Sequence, residues 1–328
     1  MDNRPAVIAD FLHHAGWGEA ARGRLAGDAS FRRYDRLEAA TGRAVLMDAP
    51  PPKEDVRPFI AIARHLLDLG FSAPRILAAD EERGLLLLED LGDDTYTRLL
   101  ARGGDEAALY ALAVDVLAAL NARADAIPCD CPAYDDERLL AEALLLTEWY
   151  APAALGEALP DTAIQAYAEA WKSLFPIARR MPETLVLRDF HVDNLLLLPR
   201  DGLEACGLLD FQDAVAGPLT YDLMSLLEDA RRDIDPALVS AMRERYLAAL
   251  PHLDRQAFTA SWAVLAAQRH AKVIGIFTRL HRRDGKPQYL GHIPRVWKLF
   301  ERALEHPALA AMKAWADTHL PPEHRRIP

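Results

Sequence analysis

The chain has 328 residues, enough for a large core in one domain or two medium ones. Hydrophobic residues make up 51% and charged residues 27%, the balance of an ordinary soluble globular protein. A net charge of -11 argues against a general nucleic-acid binder, whose footprint is basic, and the apolar runs are too short to span a bilayer. The stretch MDNRPAVIADFLHHAG lacks a long apolar run and a small-residue cleavage site, so no signal peptide is expected. Cys129, Cys131 and Cys206 make an odd count without a second close pair for a zinc site. Free thiols in a reducing cytoplasm are therefore expected.

Residues 6–16 read as a short amphipathic helix ended by Gly16. FRRYDRLE (31–38) and RAVLMD (43–48) read as a hairpin turning at Thr41-Gly42, and the prolines at 50–52 stop its second strand. Residues 57–69 place Phe59, Ile60, Ile62, Ala63, Leu66 and Leu67 at helical spacing, with Gly70 as the stop. LLLLE (85–89) has the pattern of a buried strand. After Gly92 the chain turns alanine- and leucine-rich, with helical periodicity over 105–124, 137–150 and 162–180. Short apolar runs at 185–187, 195–198 and 206–209 interrupt the helices. From 219 the chain is helical again, broken at Pro236, Pro251 and Gly285-Lys286-Pro287. The expected architecture is α+β: a small β-rich lobe over 1–91 and a large helical lobe over 92–328, with a ligand in the cleft between them.

The densest chemical signal is LRDFHVDN (187–194) followed by LLDF (208–211). Asp189 and Asn194 are five apart, and Asp210 follows Asn194 by sixteen. Phosphoryl transfer needs a carboxylate to orient or deprotonate a hydroxyl and oxygen ligands for magnesium; these residues supply such a set beside short apolar strands. Ordinary Asx turns in a polar loop are the competing explanation for each residue alone.

In this pattern the chain resembles the aminoglycoside phosphotransferase and choline kinase family. Gly217-Pro218 and Tyr221-Asp222-Leu223 extend the resemblance. It implies a two-lobed, protein-kinase-like fold, with Asp189 as base and Asn194 and Asp210 as Mg2+ ligands. Asp222 is expected to be a buried structural carboxylate. LAGDASFRRY (25–34) is similar to the family's nucleotide loop, with Gly27, Ser30, Arg32 and Arg33 toward ATP. LLEDLG (87–92) resembles its hinge, where backbone groups from Glu89 to Leu91 would meet adenine.

Three positions depart from the family pattern. Leu187 stands where a histidine often opens the catalytic loop. RAVLMD offers Met47 and Asp48 where a lysine is expected, and the following helix lacks the glutamate that would pair with it. Arg32 and Arg33 are the candidate replacements for that lysine, with Lys53 behind them. Residues 268–298 concentrate Arg269, Lys272, Arg279, Arg282, Arg283, Lys286, Arg295 and Lys298 against a single acidic residue, Asp284. A positive wall there would repel cationic acceptors and suit an anionic one; a solvated helix pair is the plainer explanation. With ASFRRY and LMDAPPPKED, the segment is similar to the bacterial anomeric kinases for N-acetylmuramate and N-acetylglucosamine. The resemblance implies a monomeric sugar kinase with no nucleic-acid or membrane partner. His191, Asp193, Arg279, Arg282 and Arg283 are the candidate acceptor contacts, and Trp297 is a candidate stacking platform. A kinase for another small alcohol, or a nucleotide-binding pseudokinase, would share most of these features.

Overall fold

The computed structural model describes residues 4–27 and 31–328. In chain order the elements are α1 (Arg4–His14), β1 (Ala21–Gly27), β2 (Arg33–Ala39), β3 (Gly42–Asp48), α2 (Arg57–Asp68), β4 (Ile76–Asp80), β5 (Leu85–Glu89), α3 (Tyr96–Ala101) and α4 (Glu106–Asn121). There follow α5 (Asp136–Leu145), a π-turn (Leu146–Tyr150), α6 (Ala151–Leu155), α7 (Asp161–Ala178), β6 (Glu183–Val186), β7 (Leu195–Leu197), β8 (Cys206–Leu208) and β9 (Val215–Pro218). The remaining helices are α8 (Thr220–Leu227), α9 (Pro236–Ala249), α10 (Arg255–Asp284), α11 (Ile293–Leu304) and α12 (Ala310–His319). The chain divides into two compact units, Met1–Val116 with Val192–Asp213, and Leu117–His191 with Ala214–Pro328.

The first unit is organised by an antiparallel sheet in the order β1-β2-β3-β5-β4. The expected hairpin is present: Ala39 pairs with Gly42, so Ala40 and Thr41 form a two-residue turn. Gly42 takes φ 126, a backbone state that a side chain resists. Leu37, Ala44, Leu46, Leu85 and Leu87 pack with Ile8, Phe11 and Leu12 of α1 into one buried cluster. The central strand β3 is buried on both faces from Ala44 to Asp48, which accounts for its unbroken apolar run. The periodicity reads past β1 (ARGRLAG) and β4 (ILAAD), because both are edge strands with little apolar alternation. Antiparallel β7 and β8 belong to this unit, bridged to Thr95 by Leu196 and to Ser72 by Gly207.

The second unit is built around α10, whose thirty residues are buried along most of their length up to Leu280. Gly275 lets α10 approach the end of α5: a Cβ there would stand 2.3 Å from the Leu145 carbonyl carbon. Pro236 opens α9 and Gly285, at φ 65, ends α10, as the breaks in the sequence imply. β6 pairs with β9 in register Val186↔Val215, and α8, which follows β9, is buried at every position. Trp297 is 1% exposed, packed on Tyr150 and Phe300, so it is a core residue and not an open stacking platform. Among the described residues no helix is long and apolar enough to cross a membrane.

Candidate active site

The β7–β8 ladder closes the gap between Asn194 and Asp210. Leu195 pairs with Leu208, and the Leu209 N–H donates to the Asn194 carbonyl at 3.0 Å. The two side chains then face each other, Asn194 Nδ2 lying 3.4 Å from Asp210 Oδ2. Asp210 sits at φ 59, a left-handed state that costs a non-glycine residue free energy and is often retained where geometry matters. Phe211 stacks on Phe59 of α2 with ring centroids 5.0 Å apart, which anchors the next residue in the core. Gln212 donates to Asp210 Oδ1 at 2.8 Å.

The donors in this cluster are carboxylate and amide oxygens, the hard ligands magnesium prefers. The Asp210 side chain keeps 31% of its surface exposed. A half-turn of the Asn194 amide would exchange its nitrogen for its oxygen at the same place. Gln212 Oε1 is buried with no hydrogen-bond partner among the described residues, which leaves one more oxygen beside Asp210. The residues present fit a divalent cation.

Arg32 is the basic candidate that reaches this cluster. Its side chain is 11% exposed, its Nε donates to Glu54 Oε2 at 3.1 Å, and its Nη1 lies 4.0 Å from Asp210 Oδ1. Burial works against the charged guanidinium, but Tyr34, Glu54, Asp210 and Asp213 outweigh it and raise its pKa. Arg33 turns to Asp35 at 3.7 Å, and Lys53 lies 4.4 Å over the Phe31 ring. Strand β3 brings no cation to this cluster, since Met47 is buried, Asp48 pairs with Arg4 of α1 at 2.5 Å, and the exposed Arg43 pairs with Glu38 at 3.1 Å. Gly27 ends β1 opposite Arg33, and Ser30 lies outside the described residues. Glu89 places its carboxylate between Arg75 and Arg200 at 3.0 and 2.8 Å, and its backbone N–H donates to the Arg75 carbonyl. Leu91, two residues on, is half-buried between Asp90 and the exposed Gly92, in a segment where Arg36 holds Asp90 and Asp93. Asp193 accepts a hydrogen bond from the Thr97 hydroxyl.

Asp189 belongs to the second unit, in a turn held from below. Arg188 takes φ 69, and the Asp189 N–H donates back to the Leu187 carbonyl at 2.9 Å. The expected structural role of Asp222 is visible: it is buried and accepts the N–H groups of Leu187 at 2.6 Å and Arg188 at 2.9 Å. Burial pushes its carboxyl up to about 7 despite those bonds. The Arg188 side chain pairs with Glu142, which also accepts from Lys272 at 2.9 Å, Tyr134 at 2.5 Å and Gln268 at 3.2 Å. Burial alone would raise Glu142, but Lys272, Arg188 and the Tyr134 bond bring it down to about 2. His191 is buried, its Nε2 3.5 Å from Arg231 Nη1, and burial together with that arginine lowers its pKa.

The basic segment 268–298 does not present one continuous face. Arg269 is buried, Lys272 is engaged by Glu142, Arg295 pairs with Asp233, and Arg283 pairs with Asp284. Arg279 is half-buried on α10, and Arg282 is exposed near its end. Sequence reasoning missed Glu54, Gln212 and Glu142. Glu54 and Gln212 adjoin residues already singled out, Lys53 and Phe211, whereas Glu142 lies in an ordinary amphipathic helix and carries no local signal.

The sequence profile of the phosphotransferase enzyme family matches residues 23–255. A protein of Caulobacter vibrioides named N-acetylmuramate/N-acetylglucosamine kinase is 39% identical, with 98% of each chain covered. Proteins of the same name from Pseudomonas putida and Neisseria meningitidis are 38% and 36% identical, covering 93% and 84% of this chain and 91% and 84% of their own. Among solved structures, a choline/ethanolamine kinase family protein from Mesorhizobium loti superposes with TM-score 0.62 at 14% identity, covering 97% of this chain and 99% of that one. Aminoglycoside 2'-phosphotransferase-IIIa in its GDP complex gives TM-score 0.62 at 13% identity, covering 92% and 98%. The fold is therefore the two-lobed, protein-kinase-like one.

Proposed function

We propose that this chain, which belongs to the phosphotransferase enzyme family, is an ATP-dependent kinase acting on the anomeric hydroxyl of N-acetylmuramate and, as a second acceptor, N-acetylglucosamine. The observation that carries the acceptor is the 39% identity, over nearly the whole of both chains, to a relative named for those two sugars. Both are peptidoglycan sugars, so a recycling role in the cytoplasm follows, and three free thiols, one of them exposed, suit that reducing compartment. The enzyme acts as a monomer, with nucleotide bound by residues 1–91 and catalytic groups carried by 92–328.

In this mechanism Asp189 accepts the proton of the anomeric hydroxyl while the hydroxyl oxygen bonds to the γ-phosphorus of ATP. The bond from that phosphorus to the β–γ bridging oxygen breaks, and ADP leaves. Asn194 and Asp210 would hold magnesium, which when bound screens the phosphate charges. An anomeric hydroxyl belongs to a hemiacetal and is more acidic than an ordinary alcohol. A carboxylate base then has less to do, and positioning carries more of the barrier. Arg188 and Asp222 hold the backbone on which Asp189 stands. Of the acceptor candidates, Arg279 is half-buried on α10, and the charge of Arg283 is already answered by Asp284.

The test is incubation with ATP and each sugar, followed by phosphorus–proton NMR of the product. Coupling of phosphorus to the anomeric proton is expected. Coupling to the C6 protons, or turnover of a cationic alcohol without sugar turnover, would overturn the acceptor assignment.

A further inference from the structure

The loop between β3 and α2 grips the segment that enters β2. Glu54 Oε1 accepts the backbone N–H of Phe31 at 3.0 Å, and Glu54 Oε2 accepts Arg32 Nε at 3.1 Å. One carboxylate thus holds both the backbone and the guanidinium of consecutive residues, and neighbouring Lys53 lies 4.4 Å over the Phe31 ring. The Glu54 and Arg32 side chains are only 14% and 11% exposed, so this pair is screened less than a surface one. Glu54 takes the Nε edge of the guanidinium, and Nη1 turns toward Asp210, 4.0 Å from Oδ1.

We propose that Glu54 is the positioning residue of the nucleotide site, holding Arg32 as the phosphate-facing cation that strand β3 does not supply. An arginine fixed along one edge can present its remaining N–H groups to a phosphate as a planar fork. The helix α2 need not contribute an acid, because the loop before it does so. Arg33, directed at Asp35, takes no part. The inference rests on the phosphotransferase reading for the nucleotide and is independent of which sugar is phosphorylated.

The experiment is a double-mutant cycle on magnesium-ADP affinity, read by a fluorescent ADP analogue without any sugar, with melting temperature recorded for each variant. Arg32→Ala should weaken binding by about ten- to a hundredfold, the range of a charge-assisted contact. Glu54→Gln keeps an acceptor for the Phe31 N–H but removes the charge, and should weaken binding about tenfold. In the Arg32→Ala background the same change should cost less than about twofold, because Glu54 acts through Arg32. Glu54→Asp, which keeps the charge on a shorter arm, should fall between wild type and Glu54→Gln. Unchanged affinity in Glu54→Gln, or an equal loss in both backgrounds, would overturn the proposal. If one variant melts below the assay temperature, the cycle is run with the other, and the same coupling is required. A protein that shows this coupling yet phosphorylates no sugar would sink the acceptor assignment and leave Glu54 in place.

Discussion

Asp210 and Glu142 are both carboxylates set against arginine, yet their surroundings differ. Glu142 is 11% exposed and receives Arg188, Lys272, Tyr134 and Gln268. Asp210 is 31% exposed, with Gln212 and Asn194 near its oxygens and Arg32 4.0 Å away. A deeply buried carboxylate held by four donors is closed to solvent, whereas a part-exposed one can still be approached by a ligand. The second unit therefore uses charge to hold the turn that carries Asp189, and the first leaves its carboxylate within reach of solvent.

The contrast can be broken most severely at Asp210. Asp210→Ala should reduce phosphoryl transfer to background, and a chelator should do the same to wild type until magnesium is restored. Chelator-resistant turnover would remove the metal-binding role. Asp189→Asn should lower kcat by about 10²–10⁴-fold while nucleotide affinity stays near wild type, as loss of a positioned base requires. Turnover close to wild type would take Asp189 out of that role.

Glu142→Gln should act on stability first. It leaves Arg188 and Lys272 facing a neutral group, and breaking such a buried pair costs about 3–5 kcal/mol, measurable by urea unfolding at neutral pH. The pH dependence follows from the sign of the shift. Glu142 falls from 4.5 to about 2 in the folded state, so its contribution is complete above 4.5 and is lost as pH drops toward 2. The variant should lose that acid-side slope. Asp222 works in the opposite sense: its carboxyl rises from 3.8 to about 7, so its contribution is largest at low pH and declines as pH rises through that window. An unchanged acid-unfolding profile in Glu142→Gln would show that the Glu142 charge does not hold Arg188 and Lys272 in the folded state.

The smallest effect is expected at Arg283. Its side chain is 55% exposed and paired with Asp284, so Arg283→Ala should shift the Michaelis constant of either sugar by less than about twofold. A selective loss on N-acetylmuramate, seen in parallel assays of the two sugars, would return this arginine to the acceptor site.

Read as a linear string, the chain already determined the hairpin, helix α2, strand β5, the helical later half and the LRDFHVDN and LLDF segments. Those features are local: apolar period, stop residues and a short spacing survive in the order of residues. Edge strands β1 and β4 were not legible, because their stability comes from a neighbour and not from their own apolar pattern. Folding decided which of two adjacent arginines meets Asp210, since Arg32 and Arg33 are chemically alike and only their places, one just before β2 and one at its first residue, send them to different partners. It also decided that Glu142 would hold Arg188 across forty-six positions of chain, and that the basic run 268–298 would be dispersed among separate acids. Charge partners of that kind are chosen by packing between distant segments, and a sequence records the charges without recording which of them meet.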